Sequence, residues 1–128
     1  MEFDKIESYA PIVLRFGIAF VFLWFAINQF MSPIDWTGFV PEQIAAIADP
    51  TMLVYGNAVF ELVFGILLLL GLWPRITALL LGMHLIGISI GLGYNSIMIR
   101  DIGLSLATLA IAMHGPDRFC ITKSRGFF

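Results

Sequence analysis

Four long stretches of the chain are almost continuously apolar, and short clusters of polar or turn-forming residues separate them. They run from about Pro11 to Met31, Met52 to Leu72, Ile76 to Gly93 and Ile97 to His114. Each is close to the roughly 20 residues with which an α-helix crosses about 30 Å of hydrocarbon. The punctuation between them is chemically explicit. Pro11 suits a first helical turn, where its missing N–H costs nothing. Asp49-Pro50-Thr51 is a helix-start signal. Gly71-Leu72-Trp73-Pro74-Arg75 is a tight turn, and Gly115-Pro116 stops the last span.

The one long connection, Ser32 to Thr51, carries Trp36, Phe39, Val40, Ile44 and Ile47 among Pro33, Pro41 and Pro50. Glu42–Ala48 reads either as a short amphipathic helix on a membrane surface or as an ordered loop with aromatic anchors. The pattern as a whole predicts an all-α fold: an integral membrane four-helix transmembrane bundle, a single domain over residues 1–128, with a short interfacial helix between helices 1 and 2.

Composition supports this reading. The 128 residues are 59% hydrophobic and 12% charged, with a mean hydropathy of +0.93, whereas soluble domains carry about 25% charged residues. A soluble domain this small has no interior large enough for so much apolar surface. The polar, acidic start MEFDKIESY does not read as a cleaved signal peptide. With Cys120 as the only cysteine, an intrachain disulfide and a CxxC pair are excluded. No basic run suggests nucleic acid.

Charge placement sets the expected orientation. Lys5, Arg15, Arg75, Arg118, Lys123 and Arg125 fall on the side of the N-terminus, and only Arg100 on the other, beside a loop bearing Asp35, Glu42 and Asp49. By the positive-inside rule both termini are cytoplasmic, in a multi-pass protein of the cell membrane.

Polar and ionisable groups in hydrocarbon are costly, so each one inside a span is a candidate functional residue. The candidates are Glu61, His84, Arg15, Asn57, Asn28, Arg100 and Asp101, with Gln29 beside Asn28. At the helical rise, Glu61 lies roughly 16 Å and His84 roughly 12 Å from the same membrane face, on consecutive antiparallel helices. A Glu61–His84 pair near mid-membrane is therefore geometrically reasonable. Arg15, about 6 Å inside the cytoplasmic end, either snorkels to water or turns toward Glu61. Asn28, Asn57, Arg100 and Asp101 fall within one or two turns of each other near the outer face, where they can form a second polar cluster open to the outside.

Helical spacing places Asn57 and Glu61 on one stripe of the second span. Asp101, Ser105, Thr108 and Ala112 form a stripe on the fourth, and His84, Gly87 and Gly91 a stripe on the third, where Gly87–Gly91 is a GxxxG pair that permits close helix approach. Together the stripes describe a polar seam in the middle of the bundle. Such a seam either joins helices through hydrogen bonds or serves chemistry: a carboxyl–imidazole pair can carry a proton or bind a quinone-like or polar ligand. A bis-histidine haem is disfavoured, because His84 is deep and His114 lies at the boundary. No metal-ligand spacing, phosphate loop or catalytic triad pattern is present.

Several of these residues together resemble a known family. Phe22-Leu23-Trp24-Phe25-Ala26-Ile27-Asn28-Gln29-Phe30 resembles the first helix of DoxX-like membrane proteins. So does Glu61 followed by Gly65-Ile66-Leu67-Leu68-Leu69-Leu70-Gly71-Leu72 and Arg75. Arg100-Asp101-Ile102-Gly103-Leu104 and Gly115-Pro116-Asp117-Arg118 complete the pattern, from about Leu14 to Arg118. The resemblance implies a four-helix membrane bundle associated with redox systems. DoxD-type relatives are linked to thiosulfate:quinone oxidoreduction and terminal quinol oxidases, others to oxidative-stress or sulfur-linked assemblies. Where many relatives carry a Lys near the end of the first helix, this chain has Gln29.

The function expected on this basis is a small accessory subunit of a quinone-linked membrane redox complex, without a catalytic motif of its own. Quinone is the one cofactor implied. The expected partners are membrane lipid and other membrane subunits or further copies of the chain. The alternatives are a structural or assembly subunit and a small proton-linked transporter.

Overall fold

The structure, a computed structural model, describes residues 2–40, 42–92 and 96–122. Among them there is no strand. The elements are α1 (Glu2–Met31), a 3-10 helix (Pro33–Phe39), α2 (Glu42–Ala45), α3 (Pro50–Leu70), α4 (Pro74–Leu92) and α5 (Ser96–His114). The start of α3 follows the expected chemistry: Asp49 accepts the N–H of Thr51 at 3.1 Å and Pro50 opens the helix. Its end is a Schellman turn in which Gly71, at φ 73°, sends its N–H to Leu68 O while Leu72 reaches Leu67 O.

Two sequence expectations about local structure are corrected. Pro11 is not in a first turn but inside α1, which begins at Glu2. The extra turns are held by tertiary contacts: the Tyr9 ring meets Phe119 edge-on at 6.4 Å, and the Arg118 guanidinium lies 4.2 Å over Tyr9. In the long connection, helix covers only Glu42–Ala45 rather than Glu42–Ala48, and the 3-10 helix precedes it. Pro33 at its start and the Thr37 Oγ1–Ile34 O bond favour the tighter winding there.

α1 packs chiefly on α3, and α4 on α5, with lesser α1–α5 and α3–α4 contacts. The pairs run antiparallel: Arg15 reaches Leu68 while Gln29 reaches Glu61, and Arg75 reaches Ala112 while Gly82 faces Leu109. The start of α1 and the end of α5 consequently share one end of the bundle. At that end the interior is solid, with Ile18, Phe22, Leu68, Leu81 and Ile111 packed together. After α5 the chain doubles back as a strap, residues 115–122, whose Ile121 and Thr122 N–H groups bond Leu70 O and Gly71 O. The strap buries Cys120, and burial pushes that thiol up from its ordinary range.

Close helix approach is made at Gly82 and Gly65, not at Gly87 of the GxxxG pair. A Cβ on Gly87 would meet nothing within 4 Å, while one on Gly82 would stand 2.8 Å from Leu109 Cδ2 and one on Gly65 3.0 Å from Leu23 Cδ2. The side-chain surroundings of Gly91, and Gly93, Lys123 and Arg125 altogether, lie outside the described residues. At Gly71 the φ is positive and a Cβ would fall 2.5 Å from the Cys120 backbone. We expect Gly71→Ala to lower stability by more than about 1 kcal/mol. Gly87→Ala, in open helix, should instead be neutral or raise stability by up to about 1 kcal/mol. Unfolding of the two variants in one detergent, followed by circular dichroism, measures the difference.

The surface is apolar on every long helix. α1 exposes Val13, Phe16, Phe20, Trp24, Ile27 and Met31 at three- and four-residue spacing, and α3 exposes Met52, Tyr55, Val59, Val63 and Ile66. α1 and α3 are long and apolar enough to cross a membrane, yet their apolar windows are only 33% and 28% buried. The core helix of a soluble protein would be mostly buried, so these faces need an apolar solvent.

Candidate functional site

The end of the bundle opposite the strap is hollow. A cavity of about 720 Å³ lies among α1, α3, α4 and α5, and Trp36, Val40 and Ile44 of the long connection also line it. Its walls are mostly apolar and aromatic, with Phe22, Phe25, Trp36 and Phe60 prominent. Trp36 is held by an edge-on contact with Phe25 at 5.5 Å.

One wall is polar, and its geometry starts from Asn57. Nδ2 of Asn57 donates to Gln29 Oε1 at 2.8 Å and to Glu61 Oε1 at 3.0 Å. Gln29 Nε2 donates to Glu61 Oε2 at 3.1 Å. The remaining Asn57 atom, Oδ1, meets His84 Nε2. Because Oδ1 only accepts, the imidazole carries its hydrogen on Nε2, and Nδ1 has no partner among the described residues. Phe60 stacks on the imidazole with centroids 4.4 Å apart, fixing the ring. Each carboxyl oxygen of Glu61 thus accepts one amide N–H, and Glu61 is only 5% exposed.

These positions revise the expected pairings. Glu61 and His84 do not touch; Asn57 stands between them, because its amide can donate to the acid and accept from the imidazole at once. Nor does Arg15 reach Glu61 or snorkel to water. It is 1% exposed, and its Nε and Nη2 clasp Asp117 at 2.7 and 3.1 Å while Nη1 donates to Leu68 O and Leu69 O at the end of α3. Burial alone would raise the Asp117 carboxyl, but the Arg15 bonds, the Phe119 N–H and the guanidinium charge outweigh it and hold the group below its ordinary range.

A separate outer cluster does not form. Asn28 turns back to Trp24 O on its own helix, whereas Asn57, Arg100 and Asp101 line the same cavity as Glu61 and His84. Arg100 is 61% exposed and 3.9 Å from Asp101. On α5 the seam closes on itself: Ser105 Oγ bonds Asp101 O and Thr108 Oγ1 bonds Leu104 O, both within the helix.

Gln29 and Asp117 carry more than sequence reasoning gave them. Gln29 is fourteen residues beyond Arg15, two heptads on, and so shares its inward face; that spacing was the available signal. Asp117 stood in the quoted Gly-Pro-Asp-Arg motif, but nothing in the motif points to Arg15.

The DoxX family model matches residues 10–93. The chain belongs to the DoxX family. The match covers α1 through α4, so Gln29, Asn57, Glu61 and His84 lie within the DoxX region and Arg100, Asp101 and Asp117 beyond it. Membership and the exposed apolar helices together make this DoxX protein a membrane protein, with lipid as the natural neighbour of its outer faces. No curated protein and no solved structure matches the chain.

Proposed function

We propose that this DoxX protein crosses the membrane four times, with both termini cytoplasmic, and serves as a small accessory subunit of a quinone-linked redox complex. The four-span reading rests on the apolar stripes of α4 and α5, where Leu80, Met83, Ile90, Ile99, Leu106 and Met113 are exposed as on α1 and α3. At 19 residues each, these helices are about 28 Å long. The orientation rests on the cationic residues gathered at the strap end. It puts the solid core in the cytoplasmic half and the cavity in the outer half.

The observation that carries the ligand reading is the cavity itself: an apolar, aromatic chamber of about 720 Å³ with Gln29, Asn57, Glu61 and His84 joined along one wall. A flat ring with an apolar tail matches such a chamber, since aromatic walls favour rings and a few fixed polar groups orient them. A second reading, that the polar wall only holds the helices together, is favoured by the network's internal satisfaction, in which both Glu61 oxygens already have donors.

Gentle extraction from native membranes, followed by mass spectrometry of bound proteins and lipids, separates them. The accessory-subunit reading expects oxidase or dehydrogenase subunits in stoichiometric amounts and quinone in the extract. A chain that emerges alone and quinone-free, yet folded, overturns it in favour of the structural role.

A further inference from the structure

The hydrogen-bond inventory of the cavity narrows its ligand, and the narrowing rests on the ligand reading above. Within the polar wall the amide donors are nearly consumed: both Asn57 N–H groups are used, and one N–H of Gln29 is left. The acceptors are not. Among the described residues, His84 Nδ1 offers a lone pair with no partner and neither carboxyl oxygen of Asp101 receives a hydrogen bond, Arg100 standing 3.9 Å away. When protonated, a carboxyl keeps one accepting oxygen and gains one O–H. Besides that Gln29 N–H, the donors lining the chamber are the Trp36 indole on the long connection and Arg100, which is largely exposed. Along the polar wall, acceptors without a donor therefore outnumber free donors.

We propose that the cavity selects a ring whose oxygens donate, a phenol or hydroquinone on an apolar tail, over the carbonyl form of the same ring. His84 Nδ1 and the Asp101 carboxyl accept hydrogen bonds from the hydroxyls, and Phe25, Trp36 and Phe60 enclose the ring. A quinone offers only acceptors, so against His84 and Asp101 it leaves acceptor facing acceptor, which costs the desolvation of both groups.

The test uses the full chain in lipid nanodiscs under argon, with three probes of one ring and tail: decylhydroquinone, decylbenzoquinone and the dimethyl ether of the hydroquinone. The hydroquinone should bind about tenfold or more tighter than the other two. Asp101→Asn, which puts an amide donor in place of an acceptor, should narrow that ratio or invert it. His84→Phe keeps a ring against Phe60 and should weaken the hydroquinone alone. Equal binding of all three probes, or tighter quinone binding by the wild-type chain, overturns the donor preference but leaves a ligand cavity. If no probe binds to a chain whose helicity and unfolding are intact, the ligand reading falls as well.

Discussion

Arg15→Met should be among the most destabilising single substitutions in this chain, lowering stability by about 3–5 kcal/mol. The side chain is 1% exposed and joins three parts of the molecule: α1, the α3 carbonyls of Leu68 and Leu69, and Asp117 of the strap. Methionine fills much of the volume but leaves the buried Asp117 without its cation and two helix-end carbonyls without a donor. Arg15→Lys keeps the charge but loses the two-point clasp, and should fall between. Arg15→Met combined with Asp117→Asn should recover part of the loss, because no bare carboxylate remains.

The pH dependence has a definite sign. Asp117 is held below its ordinary range in the fold. Its contribution is therefore complete above the unfolded value, near pH 4, and fades as pH falls through the lower folded value. Wild-type protein should lose stability on acidification in that window, and Arg15→Met should lack this part of the loss. Unfolding in detergent at several pH values measures both effects. If Arg15→Met and Arg15→Lys unfold together with wild type, the clasp is an ordinary surface pair.

The long helices were legible because hydropathy and helix-stop chemistry are local. Asp49-Pro50 and Gly71 mark the two ends of α3 through bonds made within a few residues. The beginning of α1 was not legible. Its first turns lean on Tyr9–Phe119 and on Arg118, contacts more than a hundred residues away in sequence. The candidate site divides in the same way. Depth along a helix follows from counting residues; it set Glu61 level with His84 and Asn57 level with Asp101, whereas the structure lines one cavity with all four. Which of them bond depends on rotation about each helix axis and on donor and acceptor identity. That is why Asn57, a neutral amide, took the place between acid and imidazole, and why Arg15, matched to Glu61 by charge alone, found Asp117 instead.

Asn57→Leu is expected to have the largest effect on the cavity, and its comparison with His84→Phe decides what the polar wall is for. Asn57 makes three of the four side-chain bonds in the network. Leucine there strands Gln29 Oε1, Glu61 Oε1 and the Nε2–H of His84, for a loss of about 2–4 kcal/mol given that bonds in one network are not additive. Ring-ligand binding should fall by more than tenfold, since His84 then has nothing to hold its tautomer. His84→Phe removes only one network bond and keeps the stack on Phe60. If the wall serves a ligand, His84→Phe loses binding while unfolding within about 1 kcal/mol of wild type. If the wall is only glue, the two variants lose stability in proportion to the bonds each removes, and wild type shows no ring binding for either to abolish. Unfolding and probe binding measured on both variants in the same nanodiscs distinguish the cases, because glue predicts one ranking for stability and no signal in binding, whereas a ligand site predicts that binding and stability part company at His84.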